Sequence, residues 1–459
     1  MLRLRMLSGS SLPPPPDRSS AWKVRSLGPR KVASPLGLST RLHDQIPDYI
    51  ADDARVLFEA ELAHGEPVNA ERSFEKAGPR SLIYFDPKKT RAAIVSSGGL
   101  CPGINNVIRS AVMQLVHRYG VSSVLGFRYG FAGLDPAAGF EPIALDPDRV
   151  REIHTRGGTL LGTSRGGREP EAMVATLARH GIDVLLTIGG DGTMRGAHAI
   201  AVEAEKRGMK LAVVGIPKTI DNDIAFVDKT FGFETAVSMA RVAIEAAHTE
   251  AQSAYNGIGL VKLMGRDAGF IAAGATLASR DVNVCLVPEV SFDVDGPHGL
   301  LAYLETRLAE RRHAVVVVAE GCGARLKSTA DSPLDPSGNL SFGSAALDIG
   351  SYLKERIERH FADKKIPLTL KYIDPSYMLR GVPANAMDSV FCDDLARNAV
   401  HAAMAGKTDI MVGRWYRAFT HVPLPLAVSE KKRIDPDKEL WLAVTETTGQ
   451  PSLARAPGD

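Results

Sequence analysis

Two short segments, thirty residues apart, concentrate the residue types that phosphate chemistry needs. In Gly189-Gly190-Asp191-Gly192-Thr193 the glycines let backbone N–H groups approach an anion, and a helix beginning just afterwards turns its positive end to the same place. A carboxylate at that point repels phosphate unless a cation stands between them. Asp191 therefore implies Mg2+, which takes a carboxylate together with phosphate oxygens and water. In Ile216-Pro217-Lys218-Thr219-Ile220-Asp221-Asn222-Asp223, two carboxylates flank Asn222 and a lysine and threonine precede them. That supplies a base, a second acid and a cation within a few residues. Phosphoryl transfer to an alcohol uses such a set, with a carboxylate to accept the hydroxyl proton and positive charge on the moving group. A tight structural turn for the first segment and a solvated Asx turn for the second are the plainer readings. A turn needs the glycines, however, and not the acid among them.

Other motifs carry less. Gly406-Lys407-Thr408 looks like the end of a phosphate-binding loop, but His401 stands in its first glycine slot and the segment closes a helix rather than following a strand. The 12 histidines show no HxxxH or HExxH spacing, so packing or exposure explains them better than metal ligation. The basic run Lys431–Arg433 reads as a solvated tail. Cys101, Cys285, Cys322 and Cys392 form no close pair, which suggests neither a zinc cage nor a disulfide framework and fits a reducing cytoplasm. Lys plus Arg (55) nearly cancels Asp plus Glu (53), so no global field favours a nucleic acid or a membrane, and any anion must be gripped locally. The longest apolar runs, such as Ala314–Ala319, fall far short of the ~20 residues that span a bilayer.

The elements that must hold these groups follow a rhythm of strand, glycine turn and helix. Ala92–Ser97 runs into Gly98-Gly99, Asp183–Ile188 into Gly189-Gly190, and Leu211–Ile216 into Lys218–Asp223, with further strands at Gly257–Leu263, Asn283–Val287 and Ala314–Ala319. Near-continuous Val, Leu and Ile strands alternating with helices predict an α/β architecture of two doubly wound, Rossmann-like lobes with mostly parallel sheets. Ligands in such folds bind beyond the carboxyl ends of strands, where these turns lie. With 459 residues, 44% of them hydrophobic, the chain has ample core for two lobes. Residues 1–40, basic and proline-rich with one acid, are expected to be a disordered extension or a misassigned start rather than a targeting peptide. Residues 41–89 are expected to form an ordered N-terminal arm with an apolar helical stripe near Ile50–Leu62. The Pro- and Gly-containing stretch Ser332–Ser344 reads as a mobile loop.

Ser97-Gly98-Gly99 with Pro102-Gly103 and Asn105, then Gly189–Thr193, Pro217–Asp223, Met264-Gly265-Arg266 and Tyr377–Arg380, stand in order over roughly residues 90–420. Together they resemble the 6-phosphofructokinase family. The GGDGT motif alone is shared with other kinase groups; the five together are specific. The resemblance implies that Gly99, Arg165, Gly166, Gly190, Asp191, Gly192 and Thr193 form the nucleotide site, with Asp191 as the magnesium ligand. It implies that Thr219, Ile220 and Asp221 form the sugar-binding turn, with Asp221 accepting the proton of the 1-hydroxyl and Lys218 and Arg266 completing the catalytic set. Met264, Gly265, Arg266, Glu320, Lys371, Tyr377, Met378, Leu379 and Arg380 match further fructose 6-phosphate contacts. Arg380 suits a bidentate grip on the sugar phosphate, and Arg165 and Arg266 suit the charge of the transferring phosphoryl. On this reading residues 90–235 plus about 381–430 form the nucleotide-binding lobe, 236–380 the sugar-phosphate lobe and 431–459 a C-terminal tail.

The chain also departs from the family pattern. Lys371 and Tyr377 stand where bacterial ATP enzymes have Arg and His, and Gly257 replaces an arginine, so Lys262 or Lys371 is expected to complete the 6-phosphate pocket. These features resemble the branch related to pyrophosphate-using members. Such members typically carry Asp at the position of Gly192, where the carboxylate fills the space of the ATP α-phosphate; glycine leaves that space open, which favours ATP. Lys218, shared with pyrophosphate users, excludes neither donor. The expected function is ATP-dependent phosphorylation of fructose 6-phosphate with Mg2+ by a cytoplasmic homodimer or homotetramer. Pyrophosphate-dependent phosphofructokinase, a kinase of another sugar phosphate, and an inactive regulatory homologue are the alternatives. Arg109 and Glu289 match the family's effector positions, while Met113 departs from them.

Overall fold

The computed structural model describes residues 19–41, 48–61, 65, 67–323 and 348–454, and the stretch Ser332–Ser344 lies outside them. In chain order the principal elements are β1 (Arg55–Leu57), β2 (Ser73–Lys76), β3 (Arg91–Ser96), α1 (Ile104–Met113), β4 (Ser123–Phe127), β5 (Ile143–Ala144), α2 (Pro170–Arg179), β6 (Val184–Gly189), α3 (Asp191–Lys206) and β7 (Ala212–Pro217). The second half contributes α4 (Phe233–Ser253), β8 (Gly257–Leu263), α5 (Phe270–Ser279), β9 (Val284–Leu286), α6 (Leu300–Arg311), β10 (His313–Ala319), α7 (Ile349–Asp363) and β11 (Thr369–Ile373). It ends with α8 (Ser376–Arg380), α9 (Ala386–Met404), β12 (Ile410–Trp415), β13 (Ala418–Pro423) and α10 (Glu439–Thr448).

These strands divide between two sheets, beside two short two-stranded ladders. A nine-stranded sheet has the order β1-β2-β13-β12-β7-β6-β3-β4-β5, and a four-stranded sheet the order β9-β10-β8-β11. In the large sheet β12, β7, β6, β3 and β4 run parallel at the centre, and antiparallel strands close both edges. All neighbours in the small sheet are parallel. The apolar runs explain the arrangement. Val184–Gly189 and Ala212–Pro217 are buried at every position, as are Ala314–Ala319, and only a sheet covered on both faces buries every side chain of a strand. The α/β class with parallel sheets is thus as the sequence predicts.

The chain ends differ from expectation. Residues 19–41 are laid on the body rather than disordered. Trp22 is buried among Phe58, Phe74 and Phe226, with ring centroids 5.1, 5.0 and 6.0 Å away, and Arg25–Ser26 pairs antiparallel with Lys407–Thr408. Residues 1–18 lie outside the described residues. The stripe predicted near Ile50–Leu62 is no helix where described: β1 forms there and pairs with β2, adding both to the large sheet. Spacing of apolar residues alone did not reveal that this stretch completes a sheet edge. Residues 431–454 are likewise no loose tail, because α10 buries Trp441, Val444 and Thr448 against the body. The run Lys431–Arg433 is drawn inward: only Arg433 is exposed, and the Lys432 ammonium donates to Asn222 Oδ1 at 2.9 Å and to the Val227 and Asp228 carbonyls at 3.0 and 2.9 Å.

Candidate active site

Three strand ends of the large sheet bring their turns together. At the end of β6, a Cβ on Gly189 would stand 2.1 Å from Thr193 Oγ1, so no larger residue fits that turn. The helix α3 follows at once with Asp191 in its first turn. Asp191 Oδ2 pairs with Arg195 at 2.7 Å and accepts no hydrogen bond.

The turn after β7 is tied to this one, since Lys218 N donates to Gly189 O at 2.9 Å. Inside it, Asp221 N donates to Thr219 Oγ1 at 3.0 Å, and that hydroxyl donates to Asp223 Oδ1 at 3.1 Å. Asn222 takes the left-handed conformation, φ 56°, which asparagine tolerates better than most residues, and its Oδ1 accepts from Thr230 N at 3.0 Å. The result turns both carboxylates of the segment inward. Asp221 Oδ1 is buried without a hydrogen-bond partner. Burial, and then the charges of Asp223 and Glu320, raise its carboxyl above the usual range, against a backbone hydrogen bond from Arg266 and that residue's charge. A buried carboxylate oxygen without a hydrogen-bond partner is able to accept a proton.

The third turn, after β3, carries Gly98-Gly99, with Gly98 at φ 87°. Lys218 Nζ donates to Gly99 O at 2.6 Å. A Cβ on Gly99 would stand 3.7 Å from Arg165 Nη2 and 3.9 Å from Arg380 Nη1, so two guanidinium groups converge there. Burial pulls the Lys218 ammonium below its ordinary value, and Arg165 and Arg380 pull it the same way, while Asp221 opposes them.

These turns wall one cavity of about 360 Å³. Gly99, Arg165, Gly166, Gly190, Asp191, Gly192 and Thr193 line it together with Lys218, Thr219, Ile220, Asp221, Met264, Arg266 and Arg380. The two acids singled out by sequence, Asp191 and Asp221, therefore share a single cleft.

Other expected residues stand elsewhere. Lys371 is exposed on β11, the edge strand of the small sheet, and is not part of this wall. Lys262 pairs with Asp374 at 2.8 Å and Asp348 at 3.0 Å. Tyr377 and Met378 are 79% and 60% exposed and Leu379 is in the core, so of Tyr377–Arg380 only Arg380 enters the cleft. Arg380 Cζ lies over the Tyr377 ring at 5.0 Å. Gly265 shapes the turn at φ 128° without lining the cavity. Glu320 lies behind the wall, and burial raises its carboxyl while Arg266 and Lys262 lower it. Glu289 is engaged by backbone donors, Gly269 N at 3.0 Å and Ile434 N at 3.0 Å. Arg109 Nε donates to Arg151 O at 3.1 Å.

The structure also adds residues. Arg168, Arg195, Asp223, Asp267 and Lys431 line the same cavity. Asp267 directly follows the Met-Gly-Arg motif and was within reach of sequence reasoning; Lys431 comes from a segment with no catalytic pattern of its own.

Known proteins share this sequence and this fold. The family described as Phosphofructokinase matches residues 91–403. A curated relative from Borreliella burgdorferi named ATP-dependent 6-phosphofructokinase is 52% identical, over 82% of this chain and 85% of that one. One of the same name from Amycolatopsis methanolica is 47% identical, over 94% of this chain and 95% of its own. Among solved structures, a pyrophosphate-dependent phosphofructokinase from Marinobacter aquaeolei superposes with a TM-score of 0.63 at 22% identity, covering 81% of this chain and 94% of that chain, and so shares the fold.

Proposed function

The chain belongs to the phosphofructokinase family and phosphorylates fructose 6-phosphate with ATP, and on that premise we propose which residues perform the reaction. The observation that carries the assignment is the shared cavity of Asp191 and Asp221, with Lys218, Arg165, Arg266 and Arg380 around it.

Asp221 is the proton acceptor for the sugar 1-hydroxyl. It need not be a strong base, because proton removal in a loose transition state comes late and alignment with charge stabilisation dominates. The Thr219 hydroxyl and the Asn222 conformation fix its direction. Arg165 and Arg266 meet the charge of the transferring phosphoryl, Lys218 supports it from the Gly99 side, and Arg380 grips the sugar phosphate as a fork. Gly192, the second residue of α3, leaves room for the nucleotide's α-phosphate. Thr219, Ile220 and Met264 shape the sugar side of the cleft, and Gly99, Gly166, Gly190 and Thr193 the nucleotide side. The product is fructose 1,6-bisphosphate.

The donor set suits a magnesium ion. Among the described residues no group of three His, Cys, Asp or Glu forms a cage, whereas Asp191 offers a buried oxygen that accepts no hydrogen bond. An ion that takes one carboxylate and completes its shell with phosphate oxygens and water matches that. Asp191 would hold it, and when bound it supplies neutralisation of the phosphate charge.

Large apolar side chains exposed on successive helices, Tyr377 and Met378 on α8 and Met387 and Val390 on α9, support a homodimer or homotetramer, which light scattering on the purified protein would test. The buried thiols of Cys101, Cys285 and Cys392, none of them in a disulfide, support a reducing, cytoplasmic setting. Among the described residues no helix is long and apolar enough to cross a membrane. Aldolase-coupled assays with ATP or pyrophosphate, with and without a chelator, test the whole reading: turnover with ATP and its loss on chelation are expected, and turnover that survives chelation would remove the metal from the scheme.

A further inference from the structure

The segment Lys431–Ile434 crosses the cleft between the two sheets. On one side Lys432 N donates to Asp223 O at 2.9 Å, Lys431 forms a backbone bridge with Ile224, and the Lys432 ammonium is bound by three oxygens around Asn222. On the other side Lys432 Nζ lies 5.3 Å over the Phe270 ring at the start of α5, and Ile434 N donates to Glu289, whose carboxylate also accepts from Gly269 N. The strap is thus pinned at both ends, and Lys431 stands at the end that meets the turn bearing Asp221. Its ammonium pairs with Asp267 within the cavity, where the two side chains are 25% and 15% exposed.

We propose that Lys431 is a further catalytic residue, a phosphate-contacting cation that the C-terminal strap delivers to the phosphoryl-transfer cleft. The inference rests on the assignment of this cavity to phosphoryl transfer. An incoming polyphosphate offers the ammonium anionic oxygens in place of the Asp267 carboxylate, so its charge stays compensated when the partner changes. Lysine suits the task differently from the neighbouring arginines. Arg165, Arg266 and Arg380 present rigid forks, whereas an ammonium is a compact charge with three rotatable donors on a flexible stem and can follow a group in motion. Lys431 already acts on the transfer side of the cleft: against the burial that raises Asp223, it is the strongest influence lowering that carboxyl. In the step itself the bond between the γ-phosphorus and the bridging oxygen of ATP breaks as the sugar oxygen bonds to phosphorus, and the hydroxyl proton passes to Asp221. ADP leaves with the bond's electron pair, and Lys431 keeps all its protons throughout while donating hydrogen bonds.

The test uses the full chain with Lys431→Met, Lys431→Arg and Asp221→Ser, measuring kcat, both KM values and thermal midpoints. Lys431→Met should lower kcat by ~10²-fold, the scale of one lost transition-state donor, with the KM for fructose 6-phosphate within about threefold and Lys431→Arg recovering at least ~10-fold of the loss. A kcat for Lys431→Met within threefold of the unaltered enzyme overturns the proposal, and so does a Lys431→Arg variant that loses as much as the methionine. If the methionine variant folds poorly, the arginine comparison decides. Asp221→Ser separates the two levels: an active Asp221→Ser overturns the reading of the cavity, whereas an inactive one beside a fully active Lys431→Met overturns only the strap lysine.

Discussion

Lys218 donates from its ammonium to the carbonyl of Gly99 at 2.6 Å, joining the turn after β7 to the turn after β3 across 119 residues of sequence. That bond places a cation between the turn of Gly98-Gly99 and the turn of Asp221. With the bond from Lys218 N to Gly189 O, it ties three separate strand ends to one residue.

Replacing Asp221 by Ser should lower kcat by ~10²–10⁴, the usual worth of a general base, with KM for fructose 6-phosphate nearly kept. Steady-state kinetics checks this, and near-normal turnover would show that the proton goes elsewhere.

The acid limb of kcat/KM should lie well above the ordinary aspartate value of about 3.9, because burial and then Asp223 and Glu320 raise Asp221. The ionised form is the working one, so activity falls as pH drops through the raised value. Asp223→Asn removes a neighbouring like charge and should move the limb to lower pH in a pH–rate profile. A limb that moves upward would contradict the assignment.

Gly192→Asp should cut the use of ATP by at least ~10-fold, since a carboxylate beside the α-phosphate adds both bulk and like charge. Assays with both donors measure it. Unchanged ATP turnover would defeat the steric argument.

Away from the cleft, Glu75 is buried with Lys407 Nζ at 2.8 Å and Arg80 Nη2 and His421 Nδ1 each at 3.2 Å. Burial would raise its carboxyl, but His421 and Lys407 outweigh that and hold it below the usual range. Glu75→Gln should therefore cost ~3–5 kcal/mol of stability at neutral pH. Since a lowered carboxyl stabilises the fold only above the unfolded value of about 4.3, the gap between the two proteins should narrow as pH falls below it. Denaturant titrations at several pH values check the sign.

Trp22→Ala should destabilise by ~3–5 kcal/mol, as expected for an emptied aromatic site, because the indole is only 2% exposed among Phe58, Phe74 and Phe226. An unchanged unfolding midpoint would mean that residues 19–22 do not hold this position in solution.

Much of the site was legible because its parts are local. Asp191 and Asp221 each follow an apolar strand and sit beside turn residues, and the fold rule for strand ends then brings them together. What escaped was non-local. The sequence around Lys431–Arg433 looks like any charged run, and nothing in it tells that a bridge to Ile224 draws it inward. Lys371 was matched by motif position, but strand pairing with Gly259 at a sheet edge leaves it outside the wall. The first forty residues have the composition of a disordered segment, and one tryptophan with an aromatic cluster to enter is enough to order part of them.

The turn that bears Asp221 is gripped from both chain ends, by Trp22 against Phe226 and by Lys432 against Asn222. A ribosome making this protein must therefore add some two hundred residues after the aspartate before the latter grip can form.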